Sequence, residues 1–254
     1  MSQKAEIQVL SRILNLINRH HYRDEDGFAV SVSREFIKEK DQNVLLKSVG
    51  KIKTSFFRRN KVNKDQFLRE IYKEIICLKM EMDHSKFPKL ITWEDIDSFS
   101  KAKKVSTSRE CYLQVLENDV KQAFLSHIGE PHIHRDSSVE MSDIFTPRVK
   151  FNGKNVATAI ALNGRGKFKT KKREGIFEIA DSGKNGNQIN RLFTEPAKLF
   201  ILQCVGKFSN YVYDEMLVHA YKKSNGGKDE VYYCLIDGND TDRIIRALNG
   251  DKNE

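Results

Sequence analysis

The 254 residues predict an α/β fold: a mixed central sheet flanked by helices, behind a mainly helical N-terminal region. Three observations predict it. Residues 143–151 alternate apolar and polar, an Asn152-Gly153 pair follows, and a small apolar run returns over 156–162. Asn-Gly between such segments marks a two-residue hairpin. Two later runs, 199–205 and 231–236, are apolar throughout, the content of strands buried on both faces. Helical periods separate and follow them, one over about Asn210 to Lys223 and one carrying Ile244, Ile245 and Leu248. Strands alternating with helices imply crossover connections and parallel pairing, so the antiparallel hairpin makes the sheet mixed.

Taken in order, the chain opens with an amphipathic helix over 5–19, where Ile7, Leu10, Ile13, Leu14 and Ile17 share a stripe. A second helical stripe runs through Phe67, Leu68, Ile71, Ile75, Leu78 and Met82. The basic stretch 51–64, with Phe56 and Phe57, reads as a phosphate grip or equally as a solvated face over buried rings. Residues 98–108, SFSKAKKVSTS, read as a linker. The expected division is therefore 1–108, a helical region with no legible chemistry, and 109–254, the sheet domain. Within the latter a helix begins after Ser108 and stops at Gly129-Glu130-Pro131. After the hairpin come a third apolar run at 176–180, a Gly-rich turn at 183–186 and a helix from Asn187.

Composition narrows the partners. Lys and Arg number 44 against 35 acidic residues, a formal charge of +9. That balance favours a polyanion, because basic groups neutralising phosphates release condensed counterions. No run reaches the roughly 18 apolar residues of a membrane span, and the first residues lack the apolar core of a secretory signal. A cytoplasmic protein without membrane contact is expected. Cys77, Cys111, Cys204 and Cys234 are widely spaced within apolar runs, the pattern of buried free thiols rather than of zinc ligands.

Residues able to do chemistry gather between 139 and 191. Glu140 and Asp143 stand three apart at the mouth of the hairpin. At its far end Arg165, Lys167, Lys169, Lys171, Lys172 and Arg173 fall within nine residues. Gln188 and Arg191 lie one turn apart on the helix that follows, and Lys184 precedes its N-terminus, a place suited to phosphate. An acid pair, a basic loop and a polar helix are the parts of a metal-dependent nuclease site. Each has an ordinary reading as well: Asp143 as a strand-start cap, Glu140 as a solvated charge, the loop as a charged turn, Lys184 as part of a capped turn. His132 and His134 alternate as on a polar strand edge, with metal ligation the other option.

The order of elements, together with the segments EMSDIFT, ATAIALNGRG, IADSGKNGNQINRLF and LIDGNDTDRI, resembles the PD-(D/E)XK (restriction endonuclease-like) nuclease superfamily and, within it, a bacterial restriction-endonuclease-like group. The resemblance spans roughly residues 110 to 250. It implies an acid at the start of the second core strand, and an acid and a lysine on the third, holding Mg²⁺ (with Mn²⁺ as an alternative). Asp143 takes the first place and Glu140 could supply a second carboxylate, so both are expected metal ligands. The acid-x-lysine place falls at about Ala161-Leu162-Asn163, where neither residue is present. Asn163 occupies the lysine position, and Lys167 or Lys169 could reach the site instead. Gln188 matches the polar helix residue of RecB-like relatives. The implied function is a Mg²⁺-dependent DNA endonuclease in restriction or antiphage defence, working alone, as a homo-oligomer or with a partner subunit. The basic residues Arg165, Lys167, Lys169, Lys171, Lys172, Lys184 and Arg191 would contact DNA. The alternative is an inactive nuclease-fold module that binds DNA or a protein.

Overall fold

A computed structural model describes residues 7, 8, 10, 11, 76, 87–106, 115–131, 142–165, 175–183, 187–224 and 229–249. The chain divides into two compact units, Met1–Ser85 and Lys86–Glu254. In the first, Ile7, Gln8, Leu10, Ser11 and Ile76 are helical, with Leu10 and Ile76 fully buried; the basic stretch 51–64 lies outside the described residues. No helix among the described residues is long and apolar enough to cross a membrane.

The second unit is built on a five-stranded sheet. In chain order its strands are β1 (Lys89–Leu90), β2 (Ile144–Phe151), β3 (Lys154–Ala161), β5 (Leu199–Gln203) and β7 (Tyr232–Ile236). A separate two-stranded ribbon pairs β4 (Ile176–Phe177) with β6 (Lys207–Phe208). The helices are α1 (Glu117–Ile128), α2 (Gln188–Leu192), α3 (Asn210–Lys223) and α4 (Gly238–Asn249). Across the main sheet the order is β1-β7-β5-β3-β2, parallel except for β2.

The hairpin forms as its turn dictates. Asn152 and Gly153 both hold positive φ, 51° and 70°, the type I′ geometry whose twist matches the flanking strands. Pro147 sits in the sheet's edge strand at a bulge: three steps from Thr146 to Val149 face two from Thr158 to Val156. There the missing N–H costs no ladder bond, and Thr146 Oγ1 accepts the Arg148 N–H at 3.1 Å.

Period-two alternation sends each buried strand to two cores. Ile160, Leu162, Leu199, Ile201, Cys234 and Ile236 pack with α1 and α4. Ala159, Ala161, Phe200, Leu202, Tyr233 and Leu235 pack with α2 and α3. On β3 the second face carries alanines at 157, 159 and 161, which lets the short helix α2 approach the strand closely. Both crossovers between parallel strands, β3 to β5 and β5 to β7, carry their helices, α2 and α3, on that face.

Three expectations are corrected. The run at 176–180 does not join the central sheet: only Ile176 and Phe177 extend, and they pair with β6. The helix after Ser108 begins at Glu117, with Leu116 as its cap residue; Val115 precedes it, and 107–114 lie outside the described residues. Residues 98–106 are not a linker, and the compact units divide upstream of the expected boundary. Three 3-10 turns, Trp93–Asp95, Asp97–Phe99 and Ala102–Lys104, bury Trp93, Ile96, Phe99, Ala102 and Val105. Their spacing of three is the 3-10 period.

Arg243 of α4 holds that segment. Its Nε donates to Val105 O at 2.8 Å, Nη2 to Lys103 O at 3.2 Å and Nη1 to Glu94 Oε1 at 2.9 Å. Its guanidinium carbon lies 4.6 Å from the Trp93 ring centroid. Lysine has neither the planar fork nor the stacking face. Arg243→Lys is therefore expected to cost about 2 kcal/mol of stability, read as a lower urea midpoint by the fluorescence of Trp93, the single tryptophan. Arg246→Lys, where the arginine is itself more exposed and pairs with Asp242 one turn away on the same helix, should cost less than about 1 kcal/mol; equal costs would show that the fork at Arg243 is not what holds the turns.

Candidate functional site

Strands β3, β5 and β7 run parallel and end together, and β2, antiparallel to β3, begins at the same end. In open α/β sheets ligands bind outside such carboxyl ends. Asp143, at the entry to β2, continues the ladder through its N–H, donated to Ile160 O at 3.0 Å. Its carboxylate Oδ2 accepts the Leu162 N–H at 2.7 Å. The same oxygen accepts Gln188 Nε2 at 3.4 Å, across 45 residues of chain. The first bond is the strand-start cap. The second brings the α2 glutamine to the hairpin acid.

Asn163 follows directly and is wholly buried. Its N–H donates to Gln203 Oε1 and its Nδ2 to Gln203 O, each at 3.0 Å. A main-chain carbonyl can only accept, so this bond fixes which end of the amide is which. Asp143 fixes Gln188 in the same way, since an ionised carboxylate can only accept. Asn163 Oδ1 and Gln188 Oε1 are thereby left buried with no hydrogen-bond partner, and Ser182 Oγ joins them. Buried acceptors without donors are costly, and a cation, a water or a ligand donor would relieve that cost. A carboxylate with two amide oxygens is also the hard-oxygen chemistry that Mg²⁺ takes. On donor chemistry, the residues fit the ion that the resemblance implies.

Among the described residues no cluster of three or more His, Cys, Asp or Glu could hold a metal by itself. Glu140, the expected second carboxylate, lies outside the described residues, as do Lys167, Lys169, Lys171, Lys172, Lys184, His132 and His134. Arg165 and Arg191 are exposed. The path of the backbone out of β3 is fixed as far as Arg165. A Cβ on Gly164 would lie 2.3 Å from Glu117 N, so only glycine passes there, and Arg165 N–H donates to Val115 O at 3.1 Å. Ala161 and Leu162 are buried in the two cores, leaving no acid at that place in the strand.

Two polar groups at this end were not singled out from the sequence. Gln203 is buried, and Thr241 of α4 is buried beside it, with Gln203 Nε2 donating to Thr241 Oγ1 at 3.0 Å. The available signal was a lone amide within the apolar run 199–205. Cys204 and Cys234 are buried free thiols, as expected, and burial pushes both thiols up.

At the neighbouring entry to α4, Asp237 Oδ1 accepts the Asp240 N–H at 3.0 Å. Burial, then the Asp237 charge, pushes the Asp240 carboxyl from 3.8 to about 6, against a hydrogen bond from Trp93. With the folded value above the unfolded one, folding takes up a proton between them, so this group costs stability as pH rises from 4 through 6. Asp240→Asn keeps an oxygen for the indole and removes the charge. It should raise stability at pH 7.5 by about 1 kcal/mol, allowing for solvent screening, with no gain at pH 4. A pH-independent difference in melting temperature would show that the charge is not the cause.

No family model, curated protein or solved structure gives a significant match to the chain.

Proposed function

We propose that the unit Lys86–Glu254 is a divalent-metal-dependent phosphodiester hydrolase acting on DNA, with Mg²⁺ as the resident ion and Mn²⁺ able to replace it. One observation carries this reading. Gln188 meets Asp143 at 3.4 Å where the parallel strands end, and Gln188 Oε1 and Asn163 Oδ1, the latter on the residue after Leu162 at that strand end, are left buried without donors. Restriction or antiphage defence is the biological setting suggested by the sequence resemblance alone.

Asp143 would hold the ion together with the oxygens of Asn163 and Gln188. When bound, the ion supplies acidity to a water and offsets charge on the phosphate. The rest falls to the chain. The Leu162 N–H fixes one Asp143 oxygen, which orients the carboxylate before any ligand arrives. Gln188 keeps the carboxylate and α2 in register. Arg165, and the lysines after it in sequence, would contribute phosphate contacts without reading bases. A second reading, a nuclease-fold module that binds but does not cleave, is favoured by Ala161 and Leu162, which put buried apolar side chains at the acid-x-lysine place.

Asp143→Asn separates charge from architecture, because the amide retains an oxygen for the Leu162 N–H. It is expected to abolish Mg²⁺-dependent cleavage of plasmid DNA while leaving the melting temperature nearly unchanged. Asp143→Ala should also lower stability by about 1–3 kcal/mol, the cost of stranding that N–H. Cleavage at the parental rate by Asp143→Asn would exclude this site. A parent that binds duplex DNA but never cuts it, with Mg²⁺ or Mn²⁺, would favour the binding module.

The basic run is tested by salt. Neutralising Lys167 and Lys169 together should reduce the slope of log K against log salt by about 1.8, at roughly 0.9 per phosphate contact. An unchanged slope in a DNA-binding titration would make the run a solvated turn.

A further inference from the structure

Gln203 and Thr241 form a buried chain ending at Asn163. Read from α4, Thr241 Oγ1 donates to Asp237 O at 2.6 Å and accepts Gln203 Nε2 at 3.0 Å. Gln203 Oε1 accepts the Asn163 N–H, and Gln203 O accepts Asn163 Nδ2. Gln203, Thr241 and Asn163 are all fully buried. Every orientation along this chain is forced by groups that can only donate or only accept. The main-chain N–H of Asn163 requires the oxygen of the Gln203 amide, which turns its nitrogen to Thr241. The threonine oxygen, receiving that nitrogen, spends its proton on a main-chain carbonyl, that of Asp237 at 2.6 Å or of Cys204 at 3.3 Å. The main-chain carbonyl of Gln203 requires the Asn163 nitrogen, which turns Asn163 Oδ1 away from Gln203, where it has no partner.

From this we infer that Gln203 and Thr241 are positioning residues: they lock the Asn163 amide with its oxygen presented to the cation taken up at Asp143. The inference rests on the metal-dependent reading and deepens it. A buried amide free to rotate could turn its nitrogen outward and repel a cation. The network removes that choice, because the reversed amide would set oxygen against oxygen at Gln203. It also ties the site to the entry of α4, so the segment LIDGNDTDRI acts on the site through Asn163 without touching the ligand. Packing alone does not require this polarity. An apolar side chain at 203 would suit the core around Leu199, Ile201 and Val205, whereas a buried amide with two bonds to neighbours serves the group it orients.

The test uses the full chain and Mn²⁺ alone as probe, with affinity measured by titration calorimetry and the melting temperature of each protein measured alongside. Gln203→Met keeps the volume and removes the amide; Thr241→Val removes the hydroxyl; Thr241→Ser keeps it. The first two are expected to weaken Mn²⁺ binding by about 10- to 100-fold, the usual effect of losing a group that orients a ligand. Thr241→Ser should stay near the parent. If Gln203→Met does not fold, the Thr241 pair still reads the same chain of bonds. Lower melting temperatures with Mn²⁺ affinity unchanged in Gln203→Met and Thr241→Val, while Asp143→Asn abolishes binding, would overturn this inference and leave the metal reading standing. A parent that binds no Mn²⁺, or binding that survives Asp143→Asn, would overturn both.

Discussion

A parallel sheet that stops inside a protein leaves N–H groups with no next strand to bond, and that constraint organises this molecule. A buried unpaired amide costs about as much as a lost hydrogen bond. At the carboxyl end of β3 the chain answers with side chains: Asp143 takes the Leu162 N–H and Gln203 takes the Asn163 N–H. At the exit of β7, Asp237 does the same for Asp240 at the entry to α4. Polar residues thus collect at one edge of a molecule whose strands are otherwise apolar on both faces. The end that must be polar for architectural reasons is also the end where ligands of such sheets bind.

Satisfying the amides does not explain everything that is polar there. A cap needs one acceptor for each N–H. Asparagine and glutamine bring an acceptor and two donors each, and at Asn163 and Gln188 the nitrogen is engaged while the oxygen is not. Gln188 is the sharper case. No sheet amide requires it, yet it reaches from α2 to a carboxylate oxygen already engaged with Leu162. The alanines of β3 allow that reach, because bulkier residues at 159 and 161 would push α2 outward. Small residues on one face and a long amide on the opposing helix therefore belong to one arrangement, in which packing sets the distance at which the two polar groups meet.

Much of the fold was legible because its signals are local. Asn152-Gly153 sets its own turn, and the alternation beside it assigns faces. The runs at 199–205 and 231–236 could hardly be anything but buried strands. What escaped was non-local or of unfamiliar period. β1 is two exposed residues after Pro88, with no apolar pattern; it exists because β7 offers an edge. Trp93, Ile96, Phe99, Ala102 and Val105 repeat every three residues, which fits neither helix nor strand, so the surrounding serines and lysines suggested a linker. The run at 176–180 has the composition of a strand but only two residues that extend, and β6 takes them outside the main sheet. At the candidate site, Asp143, Asn163 and Gln188 were singled out through their segments. Gln203 and Thr241 were not, since a polar residue within an apolar run announces itself only once its partners are known.

Asn163 stands where the resemblance calls for a lysine, and its surroundings bear on what that exchange does. Lysine offers three donors and no acceptor. An amide can satisfy the Gln203 carbonyl with its nitrogen and still present an oxygen. At this position the chain therefore carries the negative end of a dipole where a positive charge is expected. On the metal-dependent reading that strengthens the hold on a cation and removes a cation from beside the phosphate. Positive charge for the phosphate then has to come from elsewhere in the chain, and Arg165 begins the densest basic run in the sequence two residues later. Gly164 lets the backbone pass against α1, and the Arg165 N–H bonded to Val115 sets where that run departs. On that reading the strand end would hold the ion, and the positive charge that a strand lysine would bring beside the phosphate would come from the residues after it.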